Sequence, residues 1–141
     1  MMHCSLTRVV TFYALHRYHK PAWTEAENAR RFGWTSVAPG HGHLYRVQVT
    51  VAGPLDPETQ MVIDLPLLDT ILTETVATPL AGRHLGDAVP AFAPGGELPT
   101  CEALAAWCFS QVSQRLPAGV ALQRVLVAED ATLWAECRGP A

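Results

Sequence analysis

With 141 residues, 49% of them hydrophobic, the chain is long enough for one globular domain with a buried core. A formal net charge of −3, with no basic run beyond Arg30-Arg31, excludes the electrostatic footprint of a nucleic-acid or anionic-membrane binder. No apolar stretch has the length of a signal peptide or membrane span. Cys4, Cys101, Cys108 and Cys137 show no C-x-x-C spacing, so the expectation is a cytoplasmic protein with reduced thiols.

Residues 6–16 alternate and are rich in β-branched and aromatic types, which predicts a strand with Phe12, Ala14 and His16 on one face. Residues 17–40 read as a long loop, punctuated by Pro21, Gly33, Pro39 and Gly40, with at most a helical turn over Ala26–Phe32. Loops of that length in compact domains are usually functional. Gly40-His41-Gly42-His43 leads into a second strand over residues 43–52. Period-two geometry places His41, His43, Tyr45, Val47, Val49 and Val51 on one face, and Gly42, Leu44, Arg46, Gln48 and Thr50 on the other. Gly53-Pro54 and Asp56-Pro57 are expected to break it.

After the short extended piece Met61-Val62-Ile63-Asp64, Asp64 is placed to cap an amphipathic helix over Pro66–Thr78. Leu65, Leu68, Ile71, Leu72 and Val76 form its stripe, and Pro79 should stop it. Residues 80–98 read as a second long loop. Thr100 caps a second helix, with Glu102 in its first turn and Leu104, Trp107, Cys108 and Val112 along its buried side. Leu122–Glu129 is a strand with Val125, Val127 and Glu129 on one face, and Leu133–Arg138 is the last strand. Two strands, two helices and two strands predict an α+β fold of order ββααββ. This is a four-stranded antiparallel sheet with both helices on one face and open edges that need covering.

Two imidazoles two residues apart on one strand face can grip a single metal ion. His16, at the end of a neighbouring strand, would complete a three-histidine set that leaves one tetrahedral position open, the layout of catalytic zinc. A lone His-x-His is more often coincidence or a pair of core histidines, so the decision rests on the surrounding residues.

Those residues are Ala14-Leu15-His16-Arg17, Glu27-Asn28 with Phe32-Gly33, Gly40-His41-Gly42-His43-x-Tyr45, Met61-Val62-Ile63-Asp64, Leu80 to Leu85 followed by Val89-Pro90, Pro99-Thr100-Cys101-Glu102, and Glu129. In that order, over residues 6–138, the chain resembles the 6-pyruvoyl-tetrahydropterin synthase and 6-carboxytetrahydropterin synthase family. The resemblance implies a single T-fold domain, residues 1–141, that closes into a barrel by oligomerising, commonly as a hexamer of two stacked trimers with sites between subunits. It also implies Zn2+ on His16, His41 and His43, with Glu129 holding the ring of a pterin and Thr100 and Cys101 adding contacts. The activity implied is that of a zinc-dependent carbon–oxygen or carbon–carbon lyase acting on a pterin such as dihydroneopterin triphosphate.

The match departs from the family at its proton-transfer set. The position of the family's basic cysteine is Thr35, and the positions of its Asp-His pair are Ala81 and Gly82. A threonine hydroxyl is too weak an acid to replace a thiolate unaided. His84 and Asp87 are the candidate relocated acid–base couple, Glu25 and Glu27 are further carboxylates, and Leu44 stands where the family often has Asn. Two alternatives remain open: a repurposed zinc enzyme acting on a non-pterin substrate, and a non-catalytic pterin-binding or assembly module.

Overall fold

In the computed structural model, which describes residues 1–141, the longest pairing joins β1 (His3–His16) to β2 (His41–Pro54). They run antiparallel in unbroken register from His3 opposite Pro54 to His16 opposite His41. β3 (Ala121–Ala128) pairs antiparallel with the other side of β2, with one irregularity at Thr50/Val51, and β4 (Trp134–Cys137) pairs antiparallel with β3. The order β1-β2-β3-β4 is the predicted four-stranded antiparallel sheet.

Five helices complete the chain: α1 (Glu25–Phe32), α2 (Leu65–Leu72), α3 (Thr78–Leu80), α4 (Leu85–Ala88) and α5 (Cys101–Ser113). The core lies between one face of the sheet and the α2/α5 layer. Phe12, Ala14, Tyr45, Val47, Val49, Val51, Val125 and Val127 meet Leu68, Ile71, Leu72, Val76, Leu104, Cys108 and Val112. Alternation along the strands and 3.6-residue spacing along the helices put these side chains inward, each worth about 1.5–3 kcal/mol for the larger ones.

Several local expectations are corrected. Pro79 does not stop the first long helix. Pro79 has no N–H for the Thr75 carbonyl and its ring would crowd that carbonyl. The chain widens residues 73–77 into a π turn, with Thr78 N–H reaching Thr73 O, and continues to Leu80. Asp64 occupies the N-cap of α2, but its side chain makes no capping bond; its carbonyl accepts from Leu68 N–H at 3.0 Å. Thr100 does cap α5, accepting from Ala103 N–H at 3.1 Å. The first loop holds two full turns of helix because Thr24 caps it, accepting from Glu27 N–H at 3.1 Å. β2 extends through Gly53-Pro54, with Pro54 opposite His3 at the last pair of the β1–β2 ladder, where a missing donor costs little. The second loop contains α4, and the last strand is shorter than expected.

Candidate metal centre

The register of β1 and β2 builds the site. Alternation turns His41 and His43 to the inner face, and His16 lies directly opposite His41. Gly40 lets the loop reach this point: its φ is +118°, and a Cβ there would stand 2.5 Å from the His16 carbonyl oxygen. The three ring centroids lie 4.5 Å (His16–His41) and 5.0 Å (His16–His43 and His41–His43) apart. One nitrogen from each ring falls within 4.8 Å of the others. The structure thus brings the three predicted histidines together.

His16 is fully buried, and its Nδ1 lies 2.9 Å from the Pro99 carbonyl and 3.0 Å from the Tyr45 hydroxyl. An Nδ1–H that donates to Pro99 leaves Nε2 as the lone-pair atom facing His41 and His43. Burial, with smaller contributions from neighbouring histidines, holds the His16 pKa down at about 4; burial also lowers that of His41. At neutral pH both rings are neutral, the form a metal requires.

Glu129 immediately follows β3, its N–H donating to Leu133 O at 3.2 Å across the turn into β4. Its side chain points inward, in step with Val125 and Val127. Glu129 Oε2 stands 3.3 Å from His16 Nε2 and 3.2 Å from His43 Nε2. Burial raises its carboxyl pKa. His16 Nε2, His41 Nδ1, His43 Nε2 and Glu129 Oε2 are all buried without a hydrogen-bond partner. Buried polar atoms without partners are costly and rare. Four such atoms, from three imidazoles and a carboxyl group, form a donor set that fits a cation such as zinc.

The remaining predicted residues lie around this cluster. Thr100 spends its hydroxyl oxygen on the α5 cap. Cys101 is buried beside it, and burial, reinforced by the Glu129 carboxylate, pushes its thiol up to about 12. His84 has both ring nitrogens engaged: Gly86 N–H donates to Nδ1 at 3.1 Å, and Nε2–H donates to Pro39 O at 3.0 Å. His84 and Asp87 line a cavity of about 230 Å³ with Arg17, Glu97 and Pro99, which none of the four clustered residues enters. Glu25 pairs with His19 at 2.8 Å and Glu27 with Arg30 at 2.7 Å, both at the surface. Thr35 Oγ1–H donates to Phe32 O at 2.5 Å. Leu44 is exposed on the sheet face opposite the histidines.

Sequence reasoning missed two neighbours of the cluster and found a third. The Pro99 carbonyl left no side-chain signal. The ring of Trp34, 4.5 Å from His41, comes from a 3₁₀ turn that loop composition does not reveal. Tyr45 was legible, since period two places it one step beyond His43 on the same face.

A model of the 6-pyruvoyl tetrahydropterin synthase family matches residues 5–140. The chain belongs to this family. The human 6-pyruvoyl tetrahydrobiopterin synthase is 36% identical over 124 residues, covering 88% of this chain and 83% of that protein. The Drosophila melanogaster enzyme is 34% identical over 135 residues, covering 96% and 79%. The solved structure of Caenorhabditis elegans 6-pyruvoyl tetrahydropterin synthase superposes with a TM-score of 0.89 at 28% identity, covering 99% of this chain and 98% of that one. The sheet and its helix layer are accordingly the T-fold of the pterin synthases, a family of lyases. No helix is long and apolar enough to cross a membrane.

Proposed function

We propose that this chain is a zinc-dependent lyase-type enzyme acting on a pterin, such as dihydroneopterin triphosphate, or on a related heterocycle, with acid–base residues that differ from the usual family set. The observation that carries this reading is the convergence of four buried, unpartnered donor atoms from His16, His41, His43 and Glu129. His16 Nε2, His41 Nδ1 and His43 Nε2 would hold the metal. Zinc bound there supplies Lewis-acid polarisation of a substrate hydroxyl or carbonyl, which eases loss of a proton from the adjacent carbon.

The chain's own residues do the rest. Pro99 O and Tyr45 Oη orient the His16 ring and fix its tautomer. The Glu129 carboxylate is a bidentate acceptor suited to the paired N–H donors of a pterin's amino-pyrimidine edge. The start of α5 at Thr100 and Cys101 supplies backbone contacts beside it. His84 and Asp87 are the acid–base couple of this reading; to move a proton, His84 Nε2 releases Pro39 O and turns into the adjoining cavity. A homo-oligomer, with the hexamer of the family as its form, would complete the site between subunits and cover the open sheet edges.

The second reading is a pterin-binding module without turnover. It is favoured by one observation: the Thr35 hydroxyl is spent on the Phe32 carbonyl, while Ala81 and Gly82 carry no titratable group. Metal content measured with melting shifts across neopterin, its triphosphate and 6-carboxy-type pterins tests both. One zinc per chain and a pterin shift lost in Glu129→Ala support a working pocket, and turnover of the triphosphate separates enzyme from binder. Zinc without any pterin shift assigns the scaffold to another substrate.

A further inference from the structure

The carboxylate that the resemblance assigns to the ring stands at the histidine cluster itself. In a regular tetrahedron with ligands about 2.0–2.1 Å from zinc, neighbouring donor atoms are about 3.3–3.4 Å apart. Glu129 Oε2 lies 3.3 Å from His16 Nε2 and 3.2 Å from His43 Nε2, the spacing of two ligands on one ion. Neither contact is a hydrogen bond: all three atoms remain without a partner despite the short distances. In an ion pair the ring N–H would aim at the oxygen. In a ligand set each donor aims at a shared centre, and the line joining two donors runs off both axes.

The main chain holds the carboxylate there. Glu129 follows β3 directly, and its N–H is tied to Leu133 O, so its inward direction is set by the same alternation as Val125 and Val127. The residue is 8% exposed, and Oε2 itself is closed off from bulk solvent. Nothing else close by satisfies Oε2. Arg17, the nearest basic residue in sequence to His16, gives its Nε–H to Ser36 O.

We propose that Glu129 is the fourth ligand of the resting metal centre, closing the position that a three-histidine site would leave open. This rests on the zinc reading above. The histidine nitrogens lie within 4.8 Å of one another, and the carboxylate stands at ligand spacing from two of them. With a metal bound, Glu129 would occupy the position that a substrate oxygen needs, and a carboxylate released from it would be free to accept from the ring edge. One residue serves both roles in sequence, coupling entry of the side chain to capture of the ring.

The test uses the full-length protein loaded with cobalt(II), read by visible absorption and azide titration, with no turnover involved. The expected result is a four-coordinate spectrum in the native protein that azide barely perturbs. In Glu129→Ala, cobalt still loads at one per chain, the spectrum shifts, and azide binds at least about tenfold more tightly. Zinc affinity falls by about 10–100-fold or more, the range set by loss of partners even outside the coordination shell. Glu129→Gln, nearly the same shape, gives the same direction if the alanine variant folds poorly. Identical spectra and identical azide affinity in native and variant proteins overturn the proposal while leaving the three-histidine site standing. Failure of the native protein to load cobalt or zinc overturns both.

Discussion

The two halves of the proposed site are held by different kinds of structure. The metal half comes from three adjacent strands: His16 ends β1, His41 and His43 begin β2, and Glu129 follows β3. Its geometry is fixed by side-chain alternation and a fourteen-residue register, and a one-residue slip would turn every donor to the other face. The proton-transfer half comes from loops, which dock through main-chain bonds. Tyr18 N–H donates to Thr35 O at 3.0 Å, Gly82 N–H to Tyr13 O at 2.6 Å, and Leu15 N–H to Arg83 O at 2.9 Å. Such bonds hold whatever side chain stands there. Side-chain changes at the positions Thr35, Ala81 and Gly82 therefore leave these main-chain bonds in place, whereas the cluster depends on the side chains themselves.

The strongest way to break that contrast is to remove a ligand. Loss of metal is expected in His16→Ala and His41→Ala, measured as metal per chain. The two should differ in stability. His16→Ala leaves Pro99 O and the Tyr45 hydroxyl without their buried partner, at about 1–3 kcal/mol each, and a drop in Tm of several degrees follows. His41 is only half-buried, and its alanine variant should melt close to the native protein once metal is stripped from both. Thr35→Val is the control in the loop half: full metal content, with about 1 kcal/mol lost with its bond to Phe32 O. Metal loss in Thr35→Val would show that the halves are not independent.

The next test rebuilds the absent half. Thr35→Cys, Ala81→Asp and Gly82→His together should raise turnover of dihydroneopterin triphosphate by about 10²–10⁴-fold, the usual contribution of positioned acid–base groups. The backbone exacts something for this. Gly82 has φ +72°, and although nothing lies within 4 Å of a Cβ there, a histidine in that conformation costs about 1–2 kcal/mol. Unchanged metal content and a small loss of Tm with no gain in turnover would mean that the pocket around the loops has diverged along with the side chains.

Much of the metal half was legible because period two is an unambiguous rule: it put His41, His43 and Tyr45 together, Glu129 with Val125 and Val127, and His16 with Ala14 and Phe12. What alternation could not reveal was depth. It gave Glu129 a face but not its 3.2 and 3.3 Å approach to two histidines, which depends on how β3 registers against β2. The loop half was less legible because its contacts are main-chain ones, with no residue-type signature. Pro79 misled for a related reason: a proline predicts that a helix cannot continue regularly, and the π turn at residues 73–77 is an irregular continuation. Asp64 showed that occupying a capping position and making the capping bond are separate facts.

His84 lies between the halves, and its alanine variant discriminates its two roles. As a structural residue it ties Gly86 N–H to Pro39 O, and His84→Ala should lose about 1–3 kcal/mol while metal content stays at the native level. As part of the acid–base couple, it should also lose at least about 10²-fold in kcat with KM nearly unchanged. A melting shift without a kinetic effect would confine it to the first role.

The mildest probe asks whether any thiol has taken over the base of the missing half. Cys101 is the only cysteine beside the cluster, and burial together with the Glu129 carboxylate pushes its thiol up to about 12. Cys108, fully buried in the core, is also pushed up to about 12 by burial. Raising a thiol that far above the ordinary value near 8.5 cuts its thiolate fraction at neutral pH on the order of 10³-fold. Iodoacetamide on the folded protein should therefore modify exposed Cys4 first and half-buried Cys137 more slowly, with Cys101 and Cys108 untouched, as read by intact-mass and peptide mapping. Turnover and metal content should survive that treatment. Rapid alkylation of Cys101 with parallel loss of turnover would place a thiol base on the helix side of the metal, and the proton-transfer half would then have moved from the loops to the start of α5.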